Sequence, residues 1–280
     1  MTSFRAACIQ LCSTRSISDN IAKASDLIRA AANKGANYIQ TPEMTHLVAS
    51  NRDDLIAEVK KEAHDEGVAA FSKLAASLNI TLHIGSMAIL RDDGKVANRA
   101  FLFGPDGQHL AVYDKIHMFD VDLDNGESWR ESNTYEAGYC AHVIKTPNAA
   151  IGLAICYDLR FPAVFRTQAL QGANVLTAPA CFTRQTGMAH WNILTRARAI
   201  ENACFMIAAA QGGQHDDGRE TYGHSIIVDP WGEILAQADH DQPGFIFADI
   251  DLSKVDQARK KIPVLTHARE FDTSVLTTSE

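Results

Sequence analysis

The chain has 280 residues, of which 46% are hydrophobic and 21% charged, and its formal net charge is −8. This length allows one large α/β domain or two small ones, and an acidic balance without a Lys/Arg run argues against a nucleic-acid binder. The six cysteines are irregularly spaced and include no C-x-x-C pair, which favours reduced thiols in the cytoplasm. No signal-peptide pattern and no apolar run long enough to span a bilayer is present.

Hydrophobic periodicity predicts strands and helices that alternate along the whole chain. No low-complexity linker or internal repeat interrupts the series, so we expect one α/β domain with mixed sheets and helices outside. In chain order, the predicted strands are Phe4–Gln10, Asn37–Gln40, Leu82–Leu90, Asn98–Phe103, His109–Tyr113, Ile151–Ile155, Asn174–Ala178, Cys204–Ala210, His224–Val228, Ile234–Ala238 and Phe245–Ile250. The predicted helices are Ile21–Asn33, Val68–Leu78, Phe161–Leu170, Met188–Asn202 and Leu252–Lys260.

A cysteine follows directly after a fully apolar predicted strand. Ile151–Ile155 ends at Cys156, and Pro162 stands in the first turn of the next predicted helix. The free N–H groups and positive dipole end of such a turn favour a thiolate, which is the reactive form, and offer donors for an oxyanion. The ordinary alternative is a small residue that packs the strand end, since free cysteines are among the most buried residues.

A carboxylate and an ammonium group follow two other predicted strands in the same way. Glu43 comes shortly after the strand that ends at Gln40, and Lys115 comes shortly after His109–Tyr113. Taken alone, each would be an ordinary surface charge. Because residues beyond the carboxyl ends of strands converge on one crevice in α/β proteins, these two and Cys156 together supply a nucleophile, a base and an electrostatic partner.

The segments around these three residues resemble the signatures of the nitrilase superfamily of carbon–nitrogen hydrolases, which uses a Glu-Lys-Cys triad. The resemblance covers nearly the whole chain and continues through segments 189–191, 196–202 and 222–232. Within the superfamily the chain is most similar to the Nit branch, on segments 115–120, 156–162 and 187–191. Ala163 departs from the branch, which often has Glu at this position, but it lies outside the triad.

The resemblance implies a four-layer α-β-β-α sandwich of the α/β class, with two mixed β-sheets. Residues 1–280 would form a single carbon–nitrogen hydrolase domain, in which 266–280 is a polar C-terminal tail that crosses to a partner subunit or is disordered. The family's usual assembly implies a homodimer at least.

The resemblance also implies the catalytic roles. Glu43 would be the base, while Lys115 and the backbone N–H of Tyr157 would stabilise the oxyanion. The family has a second Glu between its Lys and its Cys, and Glu131 matches it better than Glu127 because of its Arg-Glu-Ser context. This second Glu would orient the ammonium group or the substrate amide, and neither a metal nor a cofactor is expected.

Six further residues are candidates for contacts with the substrate. Arginine forks match carboxylates well, although each of these arginines could instead form a structural ion pair. Two more candidates lie at the start of the long predicted helix, where they either line the pocket or pack into the core. The last two follow the strand end at 178–180 and could face the substrate. The candidates are Arg160 and Arg184, then His190 and Trp191, then Phe182 and Thr183.

Other chemistries have weaker support in the sequence. Carboxylates at Asp120, Asp122, Asp124 and Glu131 fall at EF-hand positions, but Asn125 stands where the sharp turn requires Gly, so a solvated acidic loop is the better interpretation. No zinc-ligand spacing is present, and no G-x-S-x-G elbow marks a serine hydrolase.

We therefore expect an amidase that hydrolyses a small carboxylate-bearing ω-amide to an acid and ammonia through a thioester on Cys156. Segments 208–215 and 222–225 resemble the type that acts on deaminated glutathione. An ω-amidase acting on α-ketoglutaramate, or a general aliphatic amidase or nitrilase, is the alternative within the class. A non-catalytic or calcium-binding interaction protein on this fold is the alternative outside it, and no nucleic-acid or membrane partner is expected.

Overall fold

The computed structural model describes residues 3–49, 51–123, 126 and 128–277. Short 3₁₀ helices lie at Glu62–His64, Glu131–Asn133 and Cys156–Arg160. The strands and α-helices, in chain order, are β1 (Ser3–Gln10), α1 (Ile17–Asn33), β2 (Tyr38–Gln40), α2 (Arg52–Glu58), α3 (Glu66–Leu78), β3 (Thr81–Leu90), β4 (Val96–Phe103), β5 (His109–Asp114), β6 (Asp120–Asp122), β7 (Ser128–Arg130), β8 (Val143–Lys145), β9 (Ala150–Gly152), α4 (Pro162–Leu170), β10 (Val175–Thr177), α5 (Arg184–Asn202), β11 (Phe205–Ala208), β12 (Gly212–Gln214), β13 (Glu220–Tyr222), β14 (Ile226–Val228), β15 (Ile234–Gln237), β16 (Gly244–Asp251) and α6 (Ser253–Lys261).

Two six-stranded sheets share one plan. Their strand orders are β16-β1-β2-β3-β4-β5 and β15-β14-β11-β10-β9-β8. In the first sheet β1, β2 and β3 are parallel, and in the second β9, β10 and β11 are parallel. The outer strands of both sheets pair in antiparallel fashion. Both sheets are therefore mixed, as predicted.

Alternate residues of β1 show how the layers are stacked. Phe4, Ala6 and Cys8 belong to a core that also contains strand residues of the second sheet and buried residues of α4 and α5. Ala7 and Ile9 belong to a separate core with α1 and α3. Because successive side chains of a strand point to opposite faces, the two sheets pack against each other with helices outside. The predicted four-layer α-β-β-α sandwich is confirmed.

Every predicted element is present, with bounds shifted by a few residues. The largest differences are at two helix starts, where α1 begins at Ile17 rather than Ile21 and α5 at Arg184 rather than Met188. The Ser16 side chain caps α1 by accepting the N–H of Asp19, and the Thr183 side chain caps α5 by accepting the N–H of Thr186. Helix α2, in which only Leu55 is buried, was not predicted. The three-residue strands β6, β7, β8, β12 and β13 were not predicted either. At most one residue in each is buried, whereas the equally short β2, β10 and β14 are buried throughout and were predicted from their apolar residues.

The C-terminal segment lies against little of the fold. Residues 266–277 of the predicted tail are exposed, and 278–280 lie outside the described residues. Among the described helices, none is long and apolar enough to cross a membrane.

Candidate active site

Three loops at the carboxyl ends of strands bring a thiol, a carboxylate and an ammonium group together. Glu43 follows β2, Lys115 follows β5 directly, and Cys156 follows β9. All three are buried, and they line one cavity of about 200 Å³. The parallel strands β2 and β9 belong to different sheets, so the cavity opens where the two sheets meet at their carboxyl ends. This is the convergence that the sequence predicts.

Lys115 is held between two carboxylates. Its Nζ donates to Glu43 Oε1 at 2.8 Å and to Glu131 Oε1 and Oε2 at 2.9 and 2.8 Å. Burial alone would lower the pKa of Lys115, but the charges of Glu131 and Glu43 outweigh it and raise that pKa well above the usual value. Lys115 is therefore a permanent cation in a buried site.

Glu131 is held in this cluster by a backbone N–H group as well as by Lys115. The N–H of Phe119 donates to Glu131 Oε2 at 2.7 Å, which complements the bonds from Lys115. Glu127, the competing residue, lies outside the described residues. Since Glu131 is 2.8 Å from the ammonium nitrogen, its carboxylate is well placed to orient that group.

Asn98 joins the same cluster, although no sequence pattern singled it out. Its Nδ2 donates to Glu43 Oε1 at 2.9 Å and to Glu131 Oε1 at 3.0 Å. Asn98 lies on β4, the neighbour of β5, and its carbonyl accepts the N–H of Lys115. One neutral side chain thus bridges two carboxylates that would otherwise repel each other.

Cys156 occupies a strained turn. Its φ is +47°, in the left-handed region that side chains other than Gly seldom adopt. The Cys156 N–H donates to the carbonyl of Pro179. Cys156 lines the cavity together with Glu43 and Lys115.

The resting state of this thiol differs from the one the sequence predicts. Burial raises the pKa of Cys156 well above the usual value, and the Glu43 charge raises it further, while the Lys115 charge opposes both. The 3₁₀ helix Cys156–Arg160 is a single short turn, so its dipole is small. Cys156 is therefore a thiol at rest rather than the thiolate that the turn alone favours.

A match to a family model agrees with this geometry. The model described as carbon-nitrogen hydrolase matches residues 5–260. The chain belongs to the carbon–nitrogen hydrolase family.

Several relatives of this carbon–nitrogen hydrolase are named amidases. The deaminated glutathione amidase of Synechocystis sp. is 37% identical over 95% of this chain and 98% of the relative. The human omega-amidase NIT2 is 36% identical over 96% of both chains. Among solved structures, Saccharomyces cerevisiae Nit3, a member of branch 10 of the nitrilase superfamily, superposes with a TM-score of 0.85 at 27% identity, covering 94% of this chain and 95% of that one.

A buried aspartate ties the cysteine turn of the hydrolase to the lysine strand. Asp158 Oδ2 accepts the hydroxyl of Tyr113 at 2.7 Å and the N–H of Ile155 at 2.9 Å. Asp158 Oδ1 lies 3.0 Å from the N–H of His117 and 2.7 Å from its Nδ1. Tyr113 and His117 flank Lys115, and Ile155 precedes the cysteine, so one carboxylate sets the spacing of both catalytic candidates.

We expect Asp158→Asn to destabilise the protein by about 2–4 kcal/mol, because an amide offers one acceptor oxygen where the carboxylate offers two, and its NH₂ group would face existing donors. Urea unfolding measures the loss. Asp239→Asn is the matched control, since the Asp239 side chain is 94% exposed, and it should change stability by less than about 0.5 kcal/mol. Equal stability of the two variants would contradict the role assigned to Asp158.

Gln211 fixes the Glu43 loop from the other sheet. Its Nε2 donates to the carbonyls of Glu43 and Met44 at 3.0 Å each, and to Ser13 Oγ at 2.8 Å. From the sequence, Gln211 was only part of a segment that carries the family resemblance. Its buried amide links the end of β11 to the carboxylate that faces Cys156.

Three of the six predicted substrate contacts line the cavity. Arg160, Phe182 and Thr183 are at its wall, and the Arg160 guanidinium lies over the Phe182 ring at 5.2 Å from its centroid. No carboxylate of the described chain pairs with Arg160, whose one side-chain bond joins its Nη1 to His190 Nδ1 at 3.1 Å. Arg160 is thus a half-buried cation with no anion among the described residues. The ion pair with Asp158, which the sequence left open, does not form.

The other three candidates lie outside the cavity lining. Trp191 packs against Phe182 in the core and donates its indole N–H to the His224 carbonyl, because its position on α5 faces the sheet. His190 is exposed at the surface and contacts Arg160 through its Nδ1. Arg184 turns to solvent and pairs with Asp241 at 3.3 Å.

Short elements that the sequence did not predict supply much of the cavity mouth. Residues of α2, of the β6–β7 hairpin and of the β12–β13 connection take part, and many are exposed there, in contrast to the buried triad. The Asp217-Gly218 pair is a turn signal that could have identified the second hairpin. The additional lining residues include Asn51, Arg52, Phe119, Trp129, Arg130, Tyr135, Cys181 and Arg219.

The predicted acidic loop is partly committed to other contacts. Asp122 pairs with Arg130 at 2.8 Å, and Asp120 accepts the Ser132 hydroxyl at 2.6 Å. Asp124 and Asn125, which complete the EF-hand pattern, lie outside the described residues. Within the described part of the chain, no cluster of His, Cys, Asp and Glu is suited to a metal ion.

Proposed function

We propose that this carbon–nitrogen hydrolase is an amidase that acts on a small carboxylate-bearing ω-amide, with Cys156 as nucleophile, Glu43 as base and Lys115 as oxyanion partner. The observation that carries the proposal is the burial of Cys156, Glu43 and Lys115 around one cavity, with the Glu43 carboxylate 2.8 Å from Lys115 Nζ. The deaminated glutathione amidase and omega-amidase relatives support an ω-amide as substrate.

The first half of the reaction forms a thioester. Glu43 takes the thiol proton as Cys156 Sγ attacks the amide carbonyl. The oxyanion is met by Lys115 Nζ and the N–H of Tyr157, an amide in the first turn of a 3₁₀ helix, where no intrahelical acceptor exists. Loss of one such donor typically reduces transition-state stabilisation by about 3–4 kcal/mol. Glu43 then gives the proton to the leaving nitrogen as the C–N bond breaks.

Proton transfer itself prepares the oxyanion donor. Before attack, Lys115 directs its N–H groups to Glu43 and Glu131. Once Glu43 is protonated it becomes a weaker acceptor, and an N–H of Lys115 can turn to the oxyanion instead. In the second half of the reaction, a water molecule attacks the thioester carbonyl while Glu43 takes a proton from it. Glu43 then returns this proton to Cys156 Sγ as the C–S bond breaks.

The leaving group depends on which ω-amide is used. α-Ketoglutaramate is a primary amide and releases ammonia, whereas deaminated glutathione is a secondary amide and releases cysteinylglycine. Ammonia, the product expected from the sequence, is therefore released from only one of the two. Both leave the same acyl group on the cysteine, with a carboxylate that Arg160 is free to bind.

We expect purified protein to hydrolyse deaminated glutathione with a higher kcat/KM than α-ketoglutaramate, our second candidate. Release of α-ketoglutarate, the product common to both, is the proper assay, with Cys156→Ala as the blank. A reversed preference would make the protein an ω-amidase of the α-ketoglutaramate type. Activity that survives in Cys156→Ala would refute the mechanism.

We extend the proposal to a single domain over residues 1–280, a cytoplasmic location and a homodimer. The family match over residues 5–260 supports the first of these. Light scattering of the purified protein would measure the assembly.

A further inference from the structure

A second arginine lines the cavity and has donor capacity that the fold does not use. Arg219 lies between β12 and β13, and its side chain is 15% exposed. Its guanidinium lies over the Trp129 ring at 4.4 Å and donates to Asp217 at 3.1 Å. Its Nε is buried and has no acceptor among the described residues. A buried donor without a partner is costly, which suggests that a ligand completes it.

Arg219 and Arg160 stand on different sides of the reacting centre. Arg160 contacts Tyr157 and Phe182, the residues next to the nucleophile turn and α5. Arg219 instead contacts Trp129 of the β6–β7 hairpin. The cavity therefore has one arginine beside the residue that follows Cys156 and a second beside this hairpin.

The two sides correspond to the two halves of an amide. The acyl half stays on Cys156 during the reaction, so its carboxylate must be bound near the cysteine, where Arg160 lies. The amine half leaves after Glu43 protonates it. Glu43 and Arg219 line the same cavity, together with Tyr135. The leaving group therefore departs on the side of Arg219.

Cavity size supports the same division. A volume of about 200 Å³ is below the roughly 300–1,000 Å³ usual for pockets that enclose a drug-sized ligand. An acyl chain of five carbons fits inside, whereas a dipeptide leaving group, which spans about 7 Å when extended, must reach into the mouth.

We propose that Arg219 is a specificity-determining residue that binds a carboxylate on the leaving amine, so that the preferred substrates are amides with one carboxylate on each side of the scissile bond. This inference rests on the proposed function. Under this inference the protein prefers amides whose leaving group is a peptidyl amine over amides that release ammonia, since only the peptidyl amine offers a carboxylate to Arg219.

The test combines a protein variant with a substrate variant. Arg219→Gln should lower kcat/KM for deaminated glutathione by about 10- to 100-fold. The analogue whose glycine carboxylate is a carboxamide should lose a similar factor with the natural protein. With this analogue Arg219→Gln should add at most about 3-fold, because the interaction is already absent.

Arg5→Gln is the matched control, since Arg5 also lies over an aromatic ring, Phe247, and pairs with an aspartate, Asp249, but is remote from the cavity. It should leave both substrates within about 2-fold. Thermal unfolding of Arg219→Gln and the activity of Arg219→Lys, which keeps the charge, separate a binding defect from a folding defect. Equal losses on both substrates, or no loss, would overturn the assignment.

Binding measured without turnover separates this inference from the proposed function. If the natural protein hydrolyses neither amide, the proposed function fails. Calorimetry of Cys156→Ala with deaminated glutathione then still decides the role of Arg219. The role of Arg219 is supported if the double variant Cys156→Ala/Arg219→Gln binds deaminated glutathione at least 10-fold more weakly than Cys156→Ala does, while binding of the carboxamide analogue is unchanged. Absent or unchanged binding refutes it.

Discussion

Replacement of Lys115 by Met is expected to destabilise the protein by about 3–5 kcal/mol and to abolish amide hydrolysis. The Lys115 side chain is 2% exposed, and its Nζ lies 2.8 Å from oxygens of both Glu43 and Glu131. Methionine keeps most of the length without the charge, so two carboxylates would remain buried with no cation between them. Urea unfolding at pH 8 measures the loss.

A compensating variant separates the structural role of this lysine from its catalytic role. Lys115→Met/Glu131→Gln removes one charge of each sign, so it should recover most of the stability. Hydrolysis should not return, because the oxyanion has still lost its charged donor. A single variant that loses less than about 1 kcal/mol, or a double variant that recovers none of the lost stability, would show that charge compensation does not hold this site together. A double variant that regains catalysis would contradict the oxyanion role of Lys115.

The positions of Glu43, Lys115 and Cys156 could be predicted because each follows a strand whose apolar pattern is visible in the sequence. The rule that such strand ends converge then brings together residues far apart in the chain. The layered fold was predictable for the same reason, since the apolar strands and amphipathic helices are long enough to show their period. The family resemblance supplied Glu131, which no periodic element marks.

Other parts of the site depend on contacts that leave no local pattern. Asn98 is one polar residue inside a β-strand, and only the register of β4 against β5 brings it to the two carboxylates. Arg219 reaches the cavity through a hairpin of three-residue strands. Trp191 is the opposite case, a candidate for substrate contact that the structure places in the core. A large aromatic residue near the motifs is as readily part of the core as of a binding site.

The protonation state of Cys156, the proposed nucleophile, could not be predicted from the sequence either. A helix start beside a cysteine is visible in the residue pattern and argues for a thiolate. Burial and a facing carboxylate, which are visible only in three dimensions, act in the opposite direction on the pKa of Cys156. The difference has a mechanistic consequence, since a resting thiol needs a base at the moment of attack.

Replacement of Glu43 by Gln is therefore expected to lower kcat/KM by about 10²- to 10⁴-fold while making the Cys156 thiol easier to ionise. Burial is the largest cause of the raised pKa of Cys156, and the Glu43 charge and its hydrogen bond add to it. The glutamine side chain would carry no charge, so this pKa should fall but stay above that of a free cysteine. Thiolate absorbance as a function of pH measures the shift, with Cys156→Ala subtracting the contribution of the other thiols.

The combination of a more acidic thiol and a slower enzyme distinguishes two roles for Glu43. If Glu43 only kept the site in shape, the activity would fall without a directed change in thiol ionisation. If instead it supplied only a field that favours thiolate, its removal would raise the pKa of Cys156. A negative charge next to a thiol opposes ionisation, so Glu43 can assist attack only by accepting the proton as the C–S bond forms. A titration of Cys156 at higher pH in Glu43→Gln would contradict this mechanism.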